Sequence, residues 1–114
     1  MKIEERDVGG VLILDLDGPL IAGVGEEAIR GKVNEAVVEG RQELLLNLSD
    51  VTRIDSTGIG ELVASIKLAE RFGAEVKLVR IDTRVKHILN LSRILPLLDF
   101  YETEEEALSS FRSR

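Results

Sequence analysis

The feature that most constrains the fold is an apolar run, followed by a short polar turn and then by a helical pattern. Residues 43–48 read Glu-Leu-Leu-Leu-Asn-Leu and lack the alternation of a half-exposed strand, so they predict a strand buried on both faces. The apolar side chains after the turn recur at helical spacing: Ile59, Leu62, Val63, Ile66 and Ala69. The chain is therefore expected to pass here from a buried strand into a helix.

The turn itself carries the candidate functional residues, which are Asp55, Ser56, Thr57, Gly58, Ile59 and Gly60. The first backbone N–H groups of a helix have no partner inside the helix, and a side-chain oxygen of Asp55, Ser56 or Thr57 can cap them. Each glycine costs about 1 kcal/mol relative to alanine inside a helix, so two within the first turns need a reason. We expect Gly58 and Gly60 to leave backbone open to a partner. Alanine at either position should then weaken binding and keep or slightly raise helix stability.

The rest of the chain alternates strands with helices. Gly9 and Gly10 lie between strand-like runs and predict a hairpin, and residues 18–23 predict a loop. Further strands are predicted at residues 3–7, 11–17, 76–81 and, as a short strand or loop, 97–101. Helices are predicted over residues 26–39, from near Thr57 to Gly73, after the cap Asp82, and after a capping box of Thr103 and Glu106. The order predicts one domain over residues 1–114: an α/β fold whose mixed sheet begins with an antiparallel hairpin, continues in parallel and packs about four helices.

Composition excludes several functional classes. The chain has no cysteine and one histidine, so we expect no metal site, and no motif suggests a cofactor. Its net charge of −6 argues against direct binding of nucleic acid. The sequence holds no apolar run long enough to span a membrane and no signal-peptide pattern, which predicts a cytoplasmic protein without membrane insertion.

The serine of the turn does not fit an enzyme. A nucleophile elbow needs glycine two residues before the serine, where this chain has Ile54. The base would have to be His87, which helical spacing assigns to a solvent-facing surface. A dinucleotide fingerprint would need a third glycine where Val63 stands. A small hydrolase using Ser56 is therefore only a remote alternative.

Charge is unevenly distributed along the second half of the chain. Seven basic residues fall in one stretch that holds three acidic ones: Lys67, Arg71, Lys77, Arg80, Arg84, Lys86 and Arg93. They predict either a basic strip facing an acidic partner or the ordinary placement of cations near helix C-termini. The sequence alone favours neither.

The six residues from Asp55 to Gly60 resemble the signature of STAS-domain anti-sigma factor antagonists: Asp, Ser, Ser or Thr, Gly, an aliphatic residue, Gly. Residues 45–65, 76–91 and 100–111 are also similar to that family. The resemblance implies that Ser56 is phosphorylated by a GHKL-type serine kinase that is also the anti-sigma factor, and that a PP2C-type serine phosphatase resets the switch. It also implies that residues 55–60 bind the partner.

The sequence departs from this family pattern in the loop after the second strand. Many antagonists carry an acidic residue there, near the position of Leu20, Ile21 or Ala22. The apolar loop leaves partner choice open. It also leaves open an alternative role as a non-switching STAS scaffold or transporter-associated subunit.

Overall fold

The structure is a computed structural model that describes residues 1–24 and 27–112. Its strands are β1 (Lys2–Val8), β2 (Val11–Asp17), β3 (Glu43–Asp50), β4 (Glu75–Val79) and β5 (Phe100–Tyr101). Within the described residues they form one five-stranded sheet in chain order. The pair β1 and β2 is antiparallel, and each later pair of neighbours is parallel. The predicted mixed sheet is confirmed, and so is the hairpin, in which Gly9 and Gly10 have φ of 59° and 88°.

The described ranges contain four α-helices, α1 (Ala28–Val38), α2 (Ser56–Arg71), α3 (Thr83–Leu91) and α4 (Glu104–Arg112). Gly40 and Gly73 follow α1 and α2 with φ of +88° and +81°, which glycine adopts without steric cost. These two predicted helix stops are confirmed. The predicted start of the first helix, at Glu26, lies outside the described residues.

Both faces of β2 and β3 are buried because helices cover the two sides of the sheet. Leu14 and Leu46 belong to a core shared with α1, α2 and α3. Ile13 and Leu45 point the other way, into a second core closed by Phe111 of α4. The continuous apolar run that predicted a doubly buried strand is thus explained by helices on both faces.

The strand β4 ends at Val79, earlier than residue 81, where the sequence predicted its end. The reason is Arg80, whose φ of 55° takes the backbone out of the extended region. A short 3-10 turn at Leu95–Leu97 then leads into the two-residue strand β5. A short strand or loop was predicted at residues 97–101, and the structure contains both, since an irregular stretch is followed by β5.

The predicted caps of the last two helices are confirmed. The Asp82 side chain accepts a hydrogen bond from the Arg84 N–H at 2.9 Å and caps α3. At α4, the Glu106 N–H donates to Thr103 Oγ1 at 3.1 Å, and the threonine hydroxyl donates to the Glu106 carboxylate at 3.0 Å. The side chains of Asp82 and Thr103 each satisfy a backbone donor that the helix cannot satisfy internally.

The loop after β2 runs beside the end of β3 and extends the parallel pairing by one step. The Leu20 N–H donates to the Arg53 carbonyl at 2.9 Å, and Leu20 forms a parallel bridge with Ile54. Leu20 is completely buried, whereas Ala22 is exposed. Part of the apolar character of this loop therefore serves the core, and the loop comes to lie against the start of α2.

Candidate functional site

The cap of α2 is Asp55, and its carboxylate holds two parts of the chain together. Oδ1 accepts from the Gly58 N–H at 2.9 Å, and Oδ2 accepts from the Ala22 N–H at 3.0 Å. The Asp55 N–H in turn donates to the Leu20 carbonyl at 3.3 Å. Of the three residues that the sequence offered as caps, Asp55 takes the role and also fixes the loop after β2.

These hydrogen bonds determine the charge state of Asp55. The backbone N–H groups of Ala22 and then Gly58 lower the pKa of its carboxyl below the ordinary value, because they stabilise the ionised form. The carboxylate is therefore a fixed negative charge at the start of α2. Sequence reasoning missed the role of Ala22, since a backbone donor in a distant loop leaves no mark on the sequence.

Gly58 is a packing position and does not form open surface. It is buried, and a Cβ built there would overlap the Leu20 carbonyl oxygen and lie 2.7 Å from the carbonyl carbon. The expectation that Gly58 leaves backbone open to a partner is wrong, and this overlap argues against the expectation that Gly58→Ala keeps helix stability. The absence of a Cβ lets the first turn of α2 sit directly on the loop after β2.

Gly60 differs from Gly58 and fits the expectation. It is exposed, and a Cβ at this position would meet nothing within 4 Å. Ser56 and Thr57 are also exposed, and Ile59 is half-buried. The surface that the motif presents thus consists of Ser56, Thr57 and Gly60, with Asp55 and Gly58 forming its support.

An ion pair between a buried glutamate and an exposed arginine lies behind this surface and was not anticipated. Glu61 of α2 is 8% exposed and pairs with Arg30 of α1, so that the two helices are joined beside the motif. The other carboxylate oxygen, Oε2, is buried and has no hydrogen-bond partner among the described residues. In the sequence, Glu61 has no feature that separates it from solvent-facing glutamates.

The structure does not assemble a hydrolytic site around Ser56. His87 lies exposed on α3, and within residues 1–24 and 27–112 no hydrogen bond joins it to the Ser56 hydroxyl. The same ranges contain no cluster of three potential metal-ligating side chains. Their helices also include none with the length and apolar character needed to span a membrane.

The seven basic residues of the second half of the chain do not all share one exposed surface. Lys77 is 4% exposed and donates to Ser110 Oγ at 2.7 Å, which fastens α4 to the sheet. Lys86 is occupied by an ion pair with Glu102 at 2.6 Å. Lys67 and Arg71, by contrast, are exposed on α2 and belong to no ion pair within the part of the chain that the structure describes.

Comparison with known proteins identifies the family to which the chain belongs. A model of the STAS domain matches residues 2–107. The chain belongs to the STAS domain family. It is similar to the anti-sigma F factor antagonist of Paenibacillus polymyxa, with 27% identity over 110 residues, which are 96% of this chain and 93% of that protein. The resemblance read from Asp55 to Gly60 is confirmed.

Solved structures agree with this assignment. A candidate anti-sigma factor antagonist from Thermotoga maritima superposes with a TM-score of 0.86 at 27% identity and covers 96% of this chain and 94% of its own. The antagonist SpoIIAA in its unphosphorylated form superposes with a TM-score of 0.78 at 23% identity, and the match covers 99% of this chain and 98% of that one. SpoIIAA from Bacillus in its phosphorylated form superposes with a TM-score of 0.70 at 23% sequence identity, and the match covers 99% of this chain and 100% of that one.

Part of the murine anion transporter Slc26a9 has the same fold, with a TM-score of 0.80 at 21% identity, where the match covers 96% of this chain and 19% of the transporter. The fold is therefore shared by proteins with different roles. The relative from Paenibacillus polymyxa is an anti-sigma factor antagonist, which is a regulatory protein and not an enzyme.

Proposed function

We propose that this chain is an anti-sigma factor antagonist in a partner-switching system. In its unmodified form it binds an anti-sigma factor that is also a GHKL-type serine kinase. Phosphorylation of Ser56 releases the partner, and a PP2C-type serine phosphatase restores the binding form. The observation that carries the proposal is the exposed hydroxyl of Ser56 at the first residue of α2, beside a cap whose carboxylate is already engaged.

Ser56 suits the role of acceptor because nothing in the described part of the chain competes for its hydroxyl. In the transfer, Ser56 Oγ forms a bond to the γ-phosphorus of ATP, the bond from that phosphorus to the bridging oxygen breaks, and ADP leaves. The hydroxyl proton goes to a base on the kinase, because the neighbouring Asp55 carboxylate already accepts hydrogen bonds from the Gly58 and Ala22 N–H groups.

The charge change acts mainly across the interface. A phosphate adds about −1.5 to −2 charges directly beside the ionised Asp55. The chain itself tolerates an anion there, because a helix N-terminus favours negative charge. A partner that has packed closely over Ser56 and Gly60 would have to desolvate this charge, which is costly without a matching cation.

The fold is compatible with both states of such a switch. SpoIIAA, which shares it, is known in an unphosphorylated and a phosphorylated form. The alternative of a non-switching scaffold or transporter-associated subunit drew on the apolar loop after β2. Burial of Leu20 gives that residue a packing role and weakens this argument.

The test combines modification with binding. The GHKL-type anti-sigma factor encoded in the same genome is purified, incubated with ATP and this chain, and the modified position is mapped by mass spectrometry. We expect Ser56 to be modified, Ser56→Ala to block modification and the matched variant Thr57→Ala to leave it intact. Modification at another position would contradict the proposal, and binding without any modification would favour the non-switching alternative.

A further inference from the structure

The outward face of α2 carries a stripe of residues that begins at the proposed phosphorylation site. Its members are spaced alternately by four and three positions: Ser56, Gly60, Val63, Lys67 and Glu70. The opposite face of the helix, with Leu62, Ser65 and Ala69, is buried against the sheet and α1. This alternation keeps the stripe on one side of the helix, and it is the spacing with which a second helix packs alongside.

Small residues on this stripe and next to it allow close approach. Gly60, on the stripe, has open space where a Cβ would lie, and Ala64, at the edge of the stripe, follows one turn later with Lys67 and Arg71 nearby. The stripe is long enough for several turns of a partner helix, because the 16 residues of α2 extend about 24 Å.

An apolar groove borders the stripe near its middle. Val63 and Ile66 of α2 form one wall, and Ile94, Leu97 and Leu98 form the other. Its volume is about 240 Å³, below the roughly 300–1,000 Å³ of small-molecule sites, so it suits one inserted side chain better than a free ligand. Leu97 is 78% exposed at its rim and adjoins the other apolar side chains of the groove.

The charge of this face indicates the character of the partner. Lys67 and Arg71 lie one helical turn apart, are exposed, and have no ion pair within the described residues. Glu70 is the acidic residue between them. Lys67, Glu70 and Arg71 together carry a net charge of +1 on a chain whose overall charge is −6, and carboxylates on a partner would complement Lys67 and Arg71.

We propose that the anti-sigma factor docks an acidic amphipathic helix along α2. One apolar side chain of that helix occupies the groove rimmed by Leu97, and carboxylates on its flank meet Lys67 and Arg71. The near end of the same helix passes over Gly60 and reaches Ser56. This inference rests on the proposed function and extends it, because it assigns a second contact region and the chemistry of the segment that binds there.

The experiment uses the full chain and the purified GHKL-type anti-sigma factor, with affinity measured by isothermal titration calorimetry. Leu97→Asp tests the groove, with Leu91→Asp as its control, since Leu91 is a similarly exposed leucine (69%) on α3. The double variant Lys67→Glu/Arg71→Glu tests the charges, with Arg84→Glu on α3 as its control. All of these positions are exposed, so the variants should fold, which circular dichroism verifies.

We expect Leu97→Asp to weaken binding about tenfold or more, as for an interface anchor. The double charge variant should lose about tenfold at low salt and less as salt rises, because exposed charge pairs are screened. Both controls should bind as the wild type does.

The outcomes separate this inference from the proposed function. If the groove and charge variants bind normally while phosphorylated Ser56 does not, the docking helix is overturned and the switch stands. If those variants bind weakly while phosphorylation leaves affinity unchanged, the docking helix stands and the switch is overturned. A dimer of the wild type that Leu97→Asp dissociates in sedimentation would assign the groove to a second copy and overturn the inference.

Discussion

The chain uses the same tripeptide, Arg-Ile-Asp, to pass from β3 into α2 and from β4 into α3. Both aspartates cap their helix with a hydrogen bond of 2.9 Å, Asp55 to the Gly58 N–H and Asp82 to the Arg84 N–H. The Asp55 carboxylate alone reaches a second segment, through the Ala22 N–H at 3.0 Å. An aspartate cap therefore marks a helix start, whereas the tie to the loop after β2 distinguishes the candidate site.

The third residue after each aspartate explains how the loop fits. After Asp55 this position is Gly58, which makes room for the Leu20 carbonyl. After Asp82 it is Val85, which is completely buried in the core. Five residues after the aspartates, the two helices present bare Gly60 and exposed His87. The first turn is built around a neighbouring loop and has an open outer face, and the second is an ordinary amphipathic start.

Among substitutions in the first turns of α2 and α3, Gly58→Ala should change the free energy of unfolding the most. The added Cβ would meet backbone of the loop after β2, which has little freedom to move, so we expect a loss of stability of about 3 kcal/mol, at the upper end for overpacking. Gly60→Ala is the matched control, and it should gain up to about 1 kcal/mol from helix propensity. Urea unfolding measures both. Equal stabilities of the two variants would contradict the packing role of Gly58.

Asp55→Ala should lower stability more than Asp82→Ala. The first loses hydrogen bonds from Gly58 and Ala22 and frees the loop, whereas the second loses one cap, worth about 1 kcal/mol. Thermal unfolding of the two variants gives the comparison. A larger drop in Tm for Asp82→Ala would show that the tie to the loop contributes little.

The contribution of Asp55 should also depend on pH. Its folded-state pKa is lowered by the N–H groups of Ala22 and Gly58, so its stabilising effect is fully present above the unfolded pKa of about 3.9 and is lost as pH falls through the folded value. The difference in unfolding free energy between wild type and Asp55→Asn should therefore shrink between pH 7 and pH 3. A difference that grows on acidification would have the wrong sign.

The smallest effect on affinity for the anti-sigma factor is expected from a substitution at the start of α3. Thr83 occupies the position after Asp82 that Ser56 occupies after Asp55, and both are exposed. Thr83→Asp should leave the affinity for the anti-sigma factor unchanged, whereas Ser56→Asp should weaken it. Calorimetric titration of both variants decides this, and comparable losses would mean that the motif does not define the binding surface.

The sequence predicts what is local. The apolar run at residues 43–48, the glycine stops and the aspartate caps each depend on neighbouring residues, and the structure confirms them. The contact of Gly58 with Leu20 was not predictable, because it joins residues far apart in the chain. The glycine pattern predicted open backbone at both positions, but the structure has open space at Gly60 and close packing at Gly58, and only tertiary structure separates the two cases.

The charge pattern left two interpretations open for a similar reason. The sequence groups Lys77 with the other basic residues, but Lys77 lies under α4, 4.7 Å from the centre of the Phe111 ring. Its neighbours in the sequence gave no indication that a terminal helix would cover it. The early end of β4 likewise depends on the φ of one residue, Arg80, which is not glycine.

The measurement that tests the account most directly is the affinity of the anti-sigma factor for this chain before and after phosphorylation confined to Ser56. The account predicts strong binding of the unmodified chain, markedly weaker binding of the phosphorylated one, and a circular dichroism spectrum that does not change. Equal affinity of the two forms, or loss of the fold on phosphorylation, would contradict it.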